Sequence, residues 1–322
     1  MTFPLFLKLL VPGYRAKWRW RYAAMLSELA ALMPRLNCGE SDGVPWIELA
    51  GSLRLHGFWT EPGNREVCRI LARDLPRDIP VSHFRLIKDC LNRYVYPHMR
   101  PDLKPEGFPA EQMFGFHGQH KDAIADIADA EARTELVAAF TPREGEVIVD
   151  CGAFLGFGDS RLASDIGSGH IYAVEADRDC FALLERNMAY NGFANVTPVH
   201  CGVWNREGEL ELESGFAQAN SLVGEVHHGE ERQCVRTVAI DTLVTKFAMP
   251  RVDMISLTLN GAEVEALEGA AETLAGHRPR IRLAGWYRRG GRLIADITRE
   301  QLERHGYRVI VGSRGNVMAL PG

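Results

Sequence analysis

The sequence predicts an α/β fold with a mostly parallel sheet in its C-terminal part, preceded by an irregular, mainly helical N-terminal region. Two observations carry this reading. After Pro142, short apolar runs alternate with segments of helical spacing, as a parallel sheet with crossover helices requires. The chain then closes on two apolar runs, Arg308–Ser313 and Asn316–Pro321, across Arg314-Gly315, which predicts a final antiparallel pair.

The elements follow in order. Val147–Gly152 is a short apolar run ending in Asp150 and Gly152, and His170–Asp177 is a second run ending in acids. Arg178–Asn191 has helical spacing through Phe181, Leu184 and Met188. Asn195–Val203 reads as a third strand. Alternation in Gly208–Ser214 and Cys234–Ile240 predicts an antiparallel insertion. Asp253–Leu259 is a buried strand, Ala262–Ala275 a helix, Arg280–Trp286 a strand and Ile294–His305 a helix. The order matches a Rossmann-like layout with seven strands and an antiparallel edge, and residues 111–322 form this domain. Residues 1–110 are broken by many prolines into short helical patterns, among them Trp18–Pro34 and His83–Tyr94, and carry no chemical motif.

Composition narrows the function. With 322 residues, 46% of them apolar and 25% charged, the chain reads as one or two ordinary globular domains. A net charge of −5 leaves no basic footprint for nucleic acid. Seven dispersed cysteines without a CxxC pair point to a reduced, cytoplasmic chain without a metal site. The pair His117 and His120 lacks a carboxylate cluster beside it. No apolar run reaches the ~20 residues of a membrane span. The basic, apolar N-terminus reads as an amphipathic helix packed on its own protein; contact with a membrane surface through Lys8, Arg15, Lys17, Arg19 and Arg21 is the competing reading.

The candidate ligand site lies in Asp150-Cys151-Gly152-Ala153-Phe154-Leu155-Gly156, at a strand end that opens a helix. Ligands of open α/β sheets bind there. Glycines allow the tight turn and a close backbone approach. Glu175 follows Gly156 by 19 residues, at the end of the second strand, where an acid accepts both ribose hydroxyls of an adenosine ligand. The spacing lacks the middle glycine of a pyrophosphate-binding GxGxxG. S-adenosylmethionine (SAM) carries no phosphate and needs none, and Asp150 suits its amino group. The cofactor-site candidates are Asp150, Gly152, Phe154, Gly156, Glu175, Ala176, Gly202 and Val203.

These motifs resemble those of the FkbM family of SAM-dependent methyltransferases, over about Glu111 to Leu320. The family's V-D-x-G-A-x-x-G stands here as Val149 to Gly156, its F-E-P-D as Val174 to Asp177, its T-L-D as Ala239-Ile240-Asp241 and its I-K-x-D-x-E-G-A-E as Ile255 to Glu263. Three polar positions of the last motif differ: the family's Lys is Ser256, its Asp is Thr258 and its Glu is Asn260. Asn220-Ser221 resembles a family position near the cofactor. The resemblance implies a class I SAM methyltransferase fold, SAM as cofactor and O-methylation of a hydroxyl on a sugar or other small molecule.

A hydroxyl acceptor benefits from a base or a metal. Thr258 and Asn260 cannot act as bases near neutral pH but can hydrogen-bond an acceptor. The catalytic candidates are Glu263, Asn260 and Asp241, with His200 and Tyr287 also considered. Each has a structural role in competition: a helix-dipole partner for Glu263, a helix cap for Asp241, packing for His200 and Tyr287. Asp122, Asp126 and Asp129 suit a solvated helix face as well as an acceptor site. Three functions follow: an O-methyltransferase, a non-catalytic SAM-fold partner-binding module, or an enzyme methylating nitrogen.

Overall fold

The computed structural model describes residues 38–49, 53–56, 124, 127, 129–214, 220–224, 231–312 and 315–322. The chain divides into two units, Met1–Phe114 and Gly115–Gly322. The N-terminal amphipathic segment, the two proline-bounded helical patterns, His117, His120, Asp122 and Asp126 lie outside the described residues. No described helix is long and apolar enough to cross a membrane.

In the first unit, the described residues 38–49 and 53–56 are mainly extended. They form an antiparallel meander of β1 (Cys38–Ser41), β2 (Val44–Leu49) and β3 (Leu53–His56). The reason is turn chemistry: Asp42 and Gly43 have φ of 52° and 73°, the two left-handed residues of a hairpin turn that follows strand twist. Arg54 covers the Trp46 ring at 3.7 Å on one face of this sheet.

The second unit holds a seven-stranded sheet. Its elements run α1 (Ala130–Phe140), β4 (Val147–Cys151), α2 (Phe157–Asp165), β5 (His170–Glu175), α3 (Arg178–Asn191) and β6 (Val196–His200). There follow β7 (Gly202–Val203), β8 (Gly208–Ser214), β9 (Glu231–Val238), α4 (Ile240–Lys246) and β10 (Met254–Leu257). Next come α5 (Glu263–Glu268), α6 (Ala271–Gly276), β11 (Arg280–Ala284), β12 (Arg288–Arg289) and β13 (Arg292–Leu293). The chain ends with α7 (Ile294–Arg304), β14 (Tyr307–Val311) and β15 (Asn316–Pro321). The sheet order is β14-β15-β11-β10-β4-β5-β6. The strands from β6 to β11 are parallel, and β15 runs antiparallel between β11 and β14. The antiparallel strand thus stands one place inside the edge, and the fold is the class I SAM methyltransferase α/β fold.

Alternation sends each strand's residues to two helix layers. Val149, Cys151, Ile255, Leu257, Ile281 and Leu283 pack with α4, α6 and α7. Ile148, Ile171, Ala173, Met254 and Met318 pack with α1, α2 and α3. Two elements differ from their sequence pattern. The expected strand Asn195–Val203 divides at Cys201, because β7 leaves the main sheet to pair with β9. The expected helix Ala262–Ala275 divides into α5 and α6, because the backbone passes so close to Trp204 at Gly269 that a Cβ there would strike the Trp204 carbonyl.

Candidate functional site

The chain order reverses at β4. The chain proceeds outward through β5 and β6, then returns to place β10 and β11 on the other side. The crevice above the carboxyl ends of β4, β5 and β10 is the switch point where such sheets take ligands. Each loop around it is held by groups the sequence singles out.

The turn after β4 is shaped by protein contacts. Gly152 has φ of 88°, and a Cβ on it would fall on the Thr258 carbonyl oxygen at the end of β10. Gly156 caps α2 with φ of 74°, and its Cβ would meet Leu184 Cδ1 at 2.5 Å and Met188 Cε at 2.6 Å. Both glycines serve the packing of β4 against β10 and α3; the close approach they allow is to protein atoms. Phe154, at φ of 54°, turns its backbone N–H onto Glu175 Oε2 at 2.8 Å. Glu175 Oε1 accepts the Asp177 N–H at 2.8 Å. Burial pushes the Glu175 carboxyl up to about 7, against the pull of those N–H groups.

The next residues along β5 extend this clamp. The Ala176 carbonyl accepts from His200 Nε2 at 3.2 Å, and the His200 ring stacks on Phe181 at 4.6 Å. Asp177 Oδ1 caps α3 by accepting from Asp179 and Cys180 N–H. Its Oδ2 accepts from Asn220 Nδ2 at 3.1 Å and Gln233 Nε2 at 2.8 Å. Gly202 and Val203 take different places from those expected. Val203 is a core side chain, and a Cβ on Gly202 would meet Leu222 Cδ1 at 2.8 Å. The pairing of β7 with β9 directs both into the protein.

On the β10 side, Asn260 (φ 51°) is the hub. Its Nδ2 donates to the Asn220 carbonyl at 2.9 Å, its carbonyl accepts from Ser221 Oγ at 2.8 Å, and its Oδ1 accepts from Tyr287 Oη at 3.3 Å. The two residues flagged in the insertion, Asn220 and Ser221, therefore join the cofactor-side loop of Asp177 to the loop of Asn260. Burial raises the Tyr287 phenol, so it remains a neutral donor. Trp286 stands beside it, 39% exposed, with ring centroids 6.2 Å apart.

Two catalytic candidates, Asp241 and Glu263, bond to backbone N–H groups. Asp241 Oδ2 accepts the Glu272 N–H at 2.9 Å, and Oδ1 accepts from Thr273 N–H at 2.8 Å and Oγ1 at 2.6 Å. Asp241 is thus a cap of α6, a helix thirty residues on. Glu263 is fully buried, and its oxygens accept the N–H groups of Leu259 at 2.8 Å and Gly261 at 2.9 Å. Burial pushes it up to about 7. It braces the loop that carries Asn260. Asp129, from the acidic run ahead of the fold, caps α1 through the Ala132 N–H at 2.7 Å.

The sequence reading missed a buried polar row. Asp150, Ser256 and Arg282 are register partners across β4, β10 and β11, and they share the face of the sheet under α2. Arg282 Nη1 donates to Ser256 Oγ at 3.0 Å, and Ser256 stands beside Asp150 in the pairing of β10 with β4. Asp159 of α2 lies against Asp150, and neither of its oxygens finds a donor among the described residues. Burial raises both carboxyls, with repulsion from Asp150 raising Asp159 further, while Ser256 and Arg282 pull Asp150 down. Of the two carboxyls, Asp159 is raised further and holds a proton more firmly than Asp150. Two arginines at alternate positions in an otherwise apolar run, Arg280 and Arg282, were the available signal. Arg280 forms a bidentate pair with Glu146 at 2.6 and 2.9 Å, one layer below the Arg282 row.

Residues 150–309 match the methyltransferase FkbM domain. Similar solved structures include methyltransferase FkbM from Methylobacillus flagellatus KT, at 16% identity, TM-score 0.41, and 80% and 69% coverage of this chain and that one. Precorrin-6y C5,15-methyltransferase from Geobacter metallireducens GS-15 is 16% identical, TM-score 0.38, covering 61% of this chain and 90% of that one. Fibrillarin from Aeropyrum pernix, solved with natively bound S-adenosyl-L-methionine, is 14% identical, TM-score 0.35, covering 55% and 66%. No curated protein matches the chain. Through residues 150–309, which span the glycine turn after β4, the acid ending β5 and the loop of Asn260, this chain belongs to the FkbM methyltransferase family.

Proposed function

We propose that this methyltransferase binds SAM in the crevice above β4 and β5 and O-methylates a hydroxyl of a sugar or other small molecule. The observation that carries the cofactor assignment is the Glu175 carboxylate, whose two oxygens are each fixed by one backbone N–H. A carboxylate oxygen accepts more than one bond. Each oxygen therefore retains capacity for one hydroxyl of an adenosine ribose. Asp150, at the neighbouring strand end, suits the ammonium of the methionine portion. The residues present thus fit the cofactor, and when bound it supplies an electrophilic methyl group on a sulfonium.

The protein's task is then to place an acceptor oxygen in line with that methyl group. The Tyr287 hydroxyl, held by donating to Asn260 Oδ1, offers its oxygen as a fixed acceptor, and Trp286 beside it offers an exposed aromatic face. A flat apolar face flanked by hydrogen-bonding groups suits a hydroxylated ring. A nitrogen acceptor is the second reading. It is favoured by the commitment of Glu263 and Asp241 to backbone bonds, since an amine needs less help from a base.

The test is turnover. The protein is incubated with SAM and a panel of sugars, hydroxylated small molecules and amines, and S-adenosylhomocysteine release is measured with NMR of the methylated product. A new O-methyl resonance supports the main reading, and an N-methyl product replaces it by the second.

A further inference from the structure

We propose that Arg282 is a positioning residue of the cofactor crevice: from β11, through the Ser256 hydroxyl, it delivers the positive charge that holds the Asp150 carboxylate in place. The inference deepens the SAM assignment and rests on it for the role of Asp150.

Three observations carry the proposal. Asp150, Ser256 and Arg282 stand side by side at one level of the sheet, fixed by the pairing Asp150 to Ser256 and Ser256 to Arg282. All three are nearly removed from water, at 8%, 0% and 3% exposure, so an uncompensated charge there is strongly disfavoured. Ser256 stands between the two: it accepts from the guanidinium at 3.0 Å and is the register partner of Asp150, so its hydroxyl passes the polarity of Arg282 toward the carboxylate.

This arrangement accounts for the departure at Ser256. The family that the sequence resembles carries lysine at this position, which places a cation on the strand next to Asp150. Here the cation stands one strand further on, and a short hydroxyl fills the gap. The Ser256 substitution is then a relocation of charge, with the acidic end of the crevice retained. Asp159 completes the balance. It lies over Asp150 from α2, fully buried, and one arginine matches one ionised carboxylate when Asp159 keeps its proton.

The test is a charge exchange in the full-length protein, with SAM and S-adenosylhomocysteine affinities measured by calorimetry and melting measured without cofactor. Arg282→Met keeps bulk and removes charge. It is expected to weaken SAM binding about tenfold or more and to lower the melting temperature by about 10 °C. Ser256→Lys added to Arg282→Met restores a cation at the neighbouring strand and is expected to recover most of both losses. A purely packing role for Arg282 gives no such recovery, since lysine on β10 adds nothing to the packing of β11. Wild-type affinity and melting in Arg282→Met, or a double variant no better than the single one, would overturn the proposal. The melting arm needs no cofactor. Absence of SAM binding by the folded wild type therefore counts against the cofactor assignment, while the melting comparison still decides the charge relocation.

Discussion

Glu175 and Asp241 are both carboxylates with oxygens bound by backbone N–H groups, yet they do different work. Glu175 has one N–H on each oxygen and ends a strand at the switch point. Asp241 has three donors from one helix start. Replacing Asp241 with Ala should cost about 0.5–2 kcal/mol of stability, the loss of an N-terminal cap, and leave kcat unchanged. A collapse of turnover in a stable variant would return Asp241 to the list of bases. For Glu175 the consequence is a pH dependence of binding. Its acid range lies near 7, and the protonated form has one oxygen occupied by its own proton. SAM affinity, measured by calorimetry between pH 5.5 and 8, should therefore fall as pH drops below about 7, approaching tenfold per unit. A flat profile would mean that Glu175 does not touch the ligand.

At the scale of elements, the crevice depends on how closely β4 and β10 approach. A side chain on Gly152 collides with the Thr258 carbonyl and must also adopt a positive φ. Gly152→Ala should destabilise the fold by about 2–4 kcal/mol through overpacking and backbone strain together, read from urea denaturation. The loss appears without any ligand. The pattern V-D-x-G-A-x-x-G made the turn and its glycines legible in the sequence, because a strand end followed by a helix leaves few conformations. It did not reveal what the glycines avoid, since Thr258 is over a hundred residues away and only the sheet pairing brings it near. The same holds for Asp241, whose partner helix α6 was hidden inside one apparent helical repeat. Arg282 was hidden because a strand pattern records which residues share a face but not which ones meet across strands. The hairpin at Asp42-Gly43 had a plain turn signal that the surrounding prolines obscured.

At the scale of the whole molecule, two buried acids set how stability follows pH. Glu175 and Glu263 both lie near 7, above the ordinary carboxylate value of 4.5. A carboxyl raised on folding contributes stability that is full below the unfolded value and is lost as pH rises through the folded one. Glu263→Gln removes one of these groups. It should reduce the fall in stability between about pH 5 and 7, while costing about 1–3 kcal/mol where the new amide faces a backbone N–H. Urea midpoints at three pH values check both parts. The order of the main strands and helices was legible through most of residues 147–321, because the buried strands are mainly apolar runs and the longer helices repeat at their own period.

The central claim is that Glu175 at the end of β5 holds SAM. Its most direct test is a calorimetric titration of the wild type and of Glu175→Ala with SAM and with S-adenosylhomocysteine, alongside their melting temperatures. The account predicts saturable binding by the wild type, affinity at least about tenfold weaker in the variant from two lost charge-assisted bonds, and a folded variant. Equal affinity in both proteins, or no binding by a folded wild type, would contradict it.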